Sequence, residues 1–179
     1  GVTVEDTCVP YAFAISGYDY LADLTSFEEG LFQVQDLSSI LAGLAVNPNP
    51  GDYVVDVCAA PGGKCLHAAQ RGSEITVEAR DVSEAKVGLI RDNIERLHMD
   101  NVTAKVWDAT VKDESLIGKA DILICDVPCS GLGILGRKAD IRYNASAEKT
   151  EALVELQRKI LSVCSEYVRP GGYIIYSTC

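Results

Sequence analysis

From Tyr53 onward, short apolar runs alternate with longer amphipathic stretches, and this alternation constrains the fold more than any single motif. Neighbouring parallel strands must be joined by a crossover, and a helix is the usual one. The pattern therefore predicts an α/β fold: a mostly parallel, doubly wound, Rossmann-like sheet with helices on both faces. Strands are expected at about 53–57, 75–80, 102–107, 121–125 and 173–177. In 83-SEAKVGLIRDNIERLHM-99, Leu89 or Ile90 shares a face with Ile94 and Leu97, and Ser83 suits an N-cap. A second helix is expected from Ala147, with Leu153, Leu156, Ile160, Val163 and Tyr167 inward, ending before Arg169, Pro170 and two glycines. The stretch 47-NPNPGD-52 divides this region from a first segment of weak periodicity.

Composition narrows the function classes. A chain of 179 residues that is 47% hydrophobic can build one good core. No apolar run approaches the roughly 20 residues of a membrane helix, and no basic segment with a cleavage site opens the chain. The expectation is a cytoplasmic, monomeric protein. Seven cysteines without a secretory signal or disulfide spacing predict reduced thiols. With no C-x-x-C pair and two histidines, no metal is expected. Cys8, Cys125 and Cys164 are expected to pack as small hydrophobes. Gly1 at the start and a stop just after a strand pattern predict a piece of a longer protein.

Polar residues gather at the predicted carboxyl ends of the strands, the side on which open sheets bind ligands. The first strand runs into 56-DVCAAPGGKC-65, where small residues and paired glycines let the backbone turn sharply and approach a ligand closely. The loop lacks both G-x-G-x-x-G and G-x-x-x-x-G-K-[ST]. Asp81, Asp108 and Asp126 end the next three strands. In 121-DILICDVPCSGLG-133, Asp126 and Cys129 stand together at a strand mouth, and 173-YIIYSTC-179 ends another apolar run on Cys179. Lys64, following the glycine turn, reads from spacing alone as a solvated residue of a first helical turn.

These motifs resemble those of the RNA cytosine-C5 methyltransferases of the Nol/Nop/Sun type, most closely the bacterial Sun (Fmu, RsmB) branch acting on small-subunit ribosomal RNA. The resemblance runs from 30-GLFQVQDLSS-39 to the final residue and rests on DVCAAPGGK, DVPCSGLG with the downstream 139-ADIRY-143, and YSTC. It departs at Ala139, where that branch usually carries proline. It implies that residues 30–179 are a catalytic core lacking the last two strands of a seven-stranded sheet, and that residues 1–29 are the tail of a preceding domain. It also implies S-adenosyl-L-methionine as cofactor. Cys58, Ala59, Ala60, Pro61, Gly62, Gly63 and Lys64 would wrap its methionine moiety, Asp81 would hold the ribose, Asp108 would lie beside the adenine, and Asp126 would touch both cofactor and base.

Cytosine carbon five is too poor a nucleophile to take a methyl group unaided. By the resemblance, the Cys179 thiolate adds to carbon six, and carbon five becomes enamine-like. Cys129 assists release, Asp126 hydrogen-bonds ring nitrogen three, and Lys64 helps keep a thiol ionised. The net charge of −10 is the wrong sign for meeting phosphates, so RNA affinity is expected in domains outside this chain. The rival readings are a transfer-RNA methyltransferase of the same family and a non-catalytic S-adenosylmethionine-binding ribosome-assembly factor. The latter would need neither Cys129 nor Cys179.

Overall fold

The computed structural model describes residues 1–134, 136 and 146–178. It opens with an antiparallel hairpin, β1 (Thr3–Asp6) and β2 (Phe13–Ser16), then a short helix α1 (Thr25–Glu28) and α2 (Leu37–Val46). Strand and helix then alternate, except that only a single turn of 3-10 helix separates β5 from β6: β3 (Tyr53–Asp56), α3 (Gly63–Ala69), β4 (Thr76–Asp81), α4 (Glu84–Arg96), β5 (Val102–Val106), β6 (Ala120–Asp126), α5 (Ala147–Cys164) and β7 (Val168–Ser177). The last five strands form one parallel sheet in the order β5-β4-β3-β6-β7, as the alternation predicts. The chain builds outward from β3 through β4 to β5, then returns to the other side of β3 for β6. That reversal leaves a crevice beyond the carboxyl ends of β3 and β6.

Apolar runs of consecutive residues in β3 and β6 reflect burial on both faces. Val54, Ile122 and Ile124 point into a core with Val46 of α2, Leu66 of α3 and Ile90 of α4. Val55, Leu123 and Cys125 point the other way, against Ile160 and Cys164 of α5 and Tyr167. Ser83 caps α4 by accepting from the Lys86 N–H at 3.3 Å. Val87 and Ile90 are its buried residues, while Leu89 stays half exposed. Helix α5 begins where expected, with Ser146 Oγ accepting from the Lys149 N–H at 3.3 Å, and Leu153, Leu156 and Val163 are partly buried along it.

Three features depart from the sequence reading. β7 starts at Val168, not near 173, because Arg169–Gly172 form a bulge: Ala120 pairs with Val168, but Ile122 pairs with Tyr173. A bulge on an edge strand tolerates Pro170, which has no N–H to give. The hairpin β1–β2 was not anticipated, since every residue of β1 is exposed and no buried face imposes an alternation. Cys8 is exposed rather than packed. It lies in the hairpin turn, where Val9 takes the inward position and Thr7 Oγ1 donates to Ala12 O at 2.7 Å.

Polar contacts also tie the segment before α2 to the sheet domain. Tyr11 Oη and His67 Nε2 of α3 share a 3.0 Å hydrogen bond, their rings packed edge to face. The Arg96 guanidinium donates to the carbonyls of Phe27 and Phe32 at 2.9 and 3.0 Å and lies over the Phe27 ring. Gly30, at φ +73°, permits this approach, since a β-carbon there would stand 1.8 Å from the Arg96 carbonyl. Residues 32–36 are thereby laid across the end of the sheet. No described helix is long and apolar enough to cross a membrane.

Candidate active site

The loop after β3 is held from below by main-chain bonds, Val57 N–H to Ile124 O at 3.2 Å and Ala59 N–H to Arg80 O at 2.8 Å. Two carboxylates complete its anchoring. Asp56 accepts from the Cys58 N–H at 3.2 Å, and Asp81 accepts from the Ala60 N–H at 3.2 Å and the Val82 N–H at 2.8 Å. The loop closes with Gly62 at φ +112°, where a β-carbon would lie 2.7 Å from the Leu66 side chain. Only glycine takes this conformation without strain.

Above the loop is a cavity of about 270 Å³, lined by Cys58, Ala59, Ala60, Pro61, Gly63, Lys64, Asp56, Asp126 and, from the lead-in segment, Val34, Gln35, Asp36 and Ser39. Lys64 is not the solvated residue its position suggests. Its Nζ is mostly buried and bonds Asp126 Oδ2 at 2.7 Å, joining the β3 loop to the end of β6. Asp126 Oδ1 accepts from Ser177 Oγ at 2.6 Å, which brings in the end of β7. The 126-DVPCS-130 turn is tied to α5, since Gln157 Nε2 donates to Pro128 O at 2.8 Å.

The expected cluster thus assembles around Asp126, Lys64 and residues 58–63. Asp81 is one step removed: it is buried, bonds the loop through Ala60, and pairs with Lys86 at 3.2 Å. Asp108 does not line the cavity. It is exposed, and the Thr110 N–H at 2.8 Å caps its carboxylate and holds it below the usual range. Cys179 and the 139-ADIRY-143 stretch lie outside the described residues. Cys8, Cys58, Cys65, Cys125 and Cys164 are free, as expected, whereas Cys129 is disulfide-bonded. The role expected of Cys129 requires the reduced thiol, which this bond does not offer.

Burial, with Asp56 and Asp81 nearby, pushes the Cys58 thiol up to about 12, so this cysteine is part of the wall and not a nucleophile. Sequence reading missed Asp56, Gln35, Ser177 and Gln157. Asp56 is 1% exposed, and loss of hydration, reinforced by Asp126, raises its carboxyl to about 7, against the pull of the Cys58 N–H and Lys64. Its signal was a carboxylate inside an apolar strand, where a buried acid needs a reason. The others are revealed only by contacts between distant segments.

The 16S rRNA methyltransferase RsmB/F family matches residues 43–179. The chain belongs to that family. It is 38% identical over 159 residues to ribosomal RNA small subunit methyltransferase B of Vibrio cholerae, covering 87% of this chain and 36% of the relative. The crystal structure of PH0851 superposes with a TM-score of 0.94 at 31% identity, over 99% of this chain and 41% of that one. NSun6 from Pyrococcus horikoshii, solved with SFG, gives 0.77 at 30% identity, over 90% and 41%. This RsmB/F chain therefore spans about two fifths of the length of the proteins it matches. The family's fold is the parallel sheet described above, and its crevice is where the cluster lies.

Proposed function

We propose that this chain is the catalytic core, within residues 30–179, of an S-adenosylmethionine-dependent enzyme that methylates carbon five of a cytosine in small-subunit ribosomal RNA through a covalent cysteine–base adduct. The observation that carries the reading is the convergence of three sequence-distant motifs on one carboxylate: Lys64 of the glycine loop and Ser177 of the YSTC end both bond Asp126 of the DVPCS turn. Membership of the RsmB/F family supports this substrate class. RNA affinity in other parts of the protein, a monomeric state and a cytoplasmic setting belong to the same proposal.

The residues fit the cofactor. S-adenosylmethionine carries an ammonium, a carboxylate and a ribose diol, and when bound it supplies an electrophilic methyl group on sulfonium sulfur. Glycine at 62 and 63 leaves backbone open for close approach, and Asp56 and Asp126 are acceptors for an ammonium. Asp81 and Asp108 are the carboxylates assigned to the nucleoside end. One buried donor on the cavity wall, Gln35 Nε2, has no partner.

Cys179 is assigned as the nucleophile. Its thiolate bonds carbon six of the base, the ring electrons move to carbon five, and ring nitrogen three takes up the proton that the thiol gave up on ionising. Asp126, held at both oxygens, keeps a lone pair on each for the exocyclic amine and for that proton. After methyl transfer the reduced Cys129, as its thiolate, takes the proton from carbon five, the sulfur–carbon bond breaks, Cys179 leaves as a thiolate and ring nitrogen three gives back its proton. In the full-length protein, Cys179→Ala should abolish methyl transfer and leave no adduct. Cys129→Ala should accumulate a denaturation-resistant RNA adduct on a gel. An adduct from Cys179→Ala alone would reverse the assignment, and bisulfite mapping of ribosomal RNA from a deletion strain that shows every site still methylated would refute the substrate.

A further inference from the structure

Gln35 occupies an unusual position. It sits in the lead-in segment, 28 positions before Gly63 in the chain, yet a β-carbon built on Gly63 would stand 3.3 Å from its Nε2 and 3.6 Å from its Cδ. The amide thus takes space that a side chain in the glycine loop would fill. Its Nε2 is buried with no hydrogen-bond partner among the described residues. Gln35 also forms part of the partition between the 270 Å³ cavity and a larger one of about 820 Å³ under the hairpin, since it lines both. Buried donors in native structures are paired, so an orphan on a cavity wall marks a place where an acceptor from outside belongs.

The surrounding charges say which acceptor. The polar side chains lining the smaller cavity include three acids, Asp36, Asp56 and Asp126, and one cation, Lys64, whose Nζ is taken by Asp126 at 2.7 Å. An ammonium finds ready acceptors there, but among the described residues an anionic group finds no uncommitted side-chain cation. The unpaired amide hydrogen beside the glycine loop is the complementary group. We propose that Gln35 binds the carboxylate at the amino-acid end of the cofactor, donating from Nε2. Asp56 and Asp126 take the ammonium, so that a zwitterion is read at both poles. The proposal rests on the cofactor reading above and adds a residue from outside the strand-end motifs.

Calorimetry with two ligands tests it. S-adenosylhomocysteine carries the carboxylate, and 5′-methylthioadenosine shares the nucleoside and lacks the amino-acid end. Gln35→Leu should weaken S-adenosylhomocysteine by about 10-fold or more, the range of a hydrogen bond to a charged group, and leave methylthioadenosine within about twofold. Gln35→Glu, which sets two negative charges together, should show the same selectivity with a larger loss. In the unsubstituted protein, the Gln35 side-chain amide signal should shift downfield in ¹H–¹⁵N NMR with S-adenosylhomocysteine and not with methylthioadenosine, a readout that survives if either variant folds poorly. Equal losses for both ligands would make Gln35 a packing residue and overturn the proposal, as would no loss for either. If neither ligand binds the unsubstituted protein, the cofactor reading itself falls.

Discussion

Asp56→Asn isolates the energetics of the buried carboxylate beneath the loop after β3. Asparagine keeps an oxygen to accept the Cys58 N–H and removes the ionisation. In the folded chain, burial outweighs the opposing hydrogen bond and raises the carboxyl from 3.8 to about 7, with Asp126 and Asp81 adding to the rise and Lys64 opposing it. The unfolded chain releases this proton near pH 4, and the folded chain holds it until about 7. The group's contribution to stability is therefore complete below pH 4 and is lost as pH rises through 7. The loss proceeds at about 1.4 kcal/mol per pH unit and reaches a ceiling of about 4 kcal/mol. Asp56→Asn should match the parent protein near pH 4.5 and exceed it by about 2–4 kcal/mol at pH 8. Urea unfolding followed by circular dichroism from pH 4.5 to 8.5 measures the difference. A gap between the two proteins that stays constant across this range would refute the reasoning.

Other changes test the remaining parts of the site. Asp81→Ala removes acceptors for the Ala60 and Val82 N–H groups and should weaken S-adenosylhomocysteine at least about 10-fold in calorimetry, so unchanged affinity would detach Asp81 from the site. Gly62→Ala forces a side chain into a positive-φ backbone against Leu66 and should cost about 1–3 kcal/mol in urea unfolding, whereas a neutral result would contradict the loop geometry. Lys64→Met frees the Asp126 carboxylate to turn and should lower methyl transfer by the full-length protein about 10- to 100-fold. Lys64→Arg should restore part of that rate, and a Lys64→Met enzyme of normal rate would return Lys64 to the solvated role its sequence position suggests.

The sheet was legible because its signal is local. Val54 and Val55 face opposite cores one residue apart, as do Leu123 and Ile124, and such two-sided strands must be apolar throughout. The sharp turn after β3 was legible for the same reason, since such a turn after a strand needs small residues in a row. Long-range pairings were not. Lys64 reads as solvated until Asp126, 62 positions away, is brought beside it. Gln35, Ser177 and Gln157 have neighbours that reveal nothing about their partners. The hairpin escaped because its exposed residues need not alternate, and β7 was started late because Pro170 and Gly171 look like a stop signal when the bulge that accommodates them is unknown.

That bulge works as a gauge. Ala120 and Val168 pair across 48 positions and Ile122 and Tyr173 across 51, so three surplus residues are absorbed at the amino end of the strand. Every later partner inherits the offset, up to Asp126 opposite Ser177. Were the surplus residues kept but paired in the ladder instead of bulged out, Asp126 would face Ile174, and the hydroxyl that now bonds the carboxylate would be carried about 10 Å past it. Ironing out the bulge at Arg169–Gly172 without shortening it, a change at the far end of the sheet in what has the look of an indifferent loop, would thus unseat the YSTC end without touching one residue of the crevice.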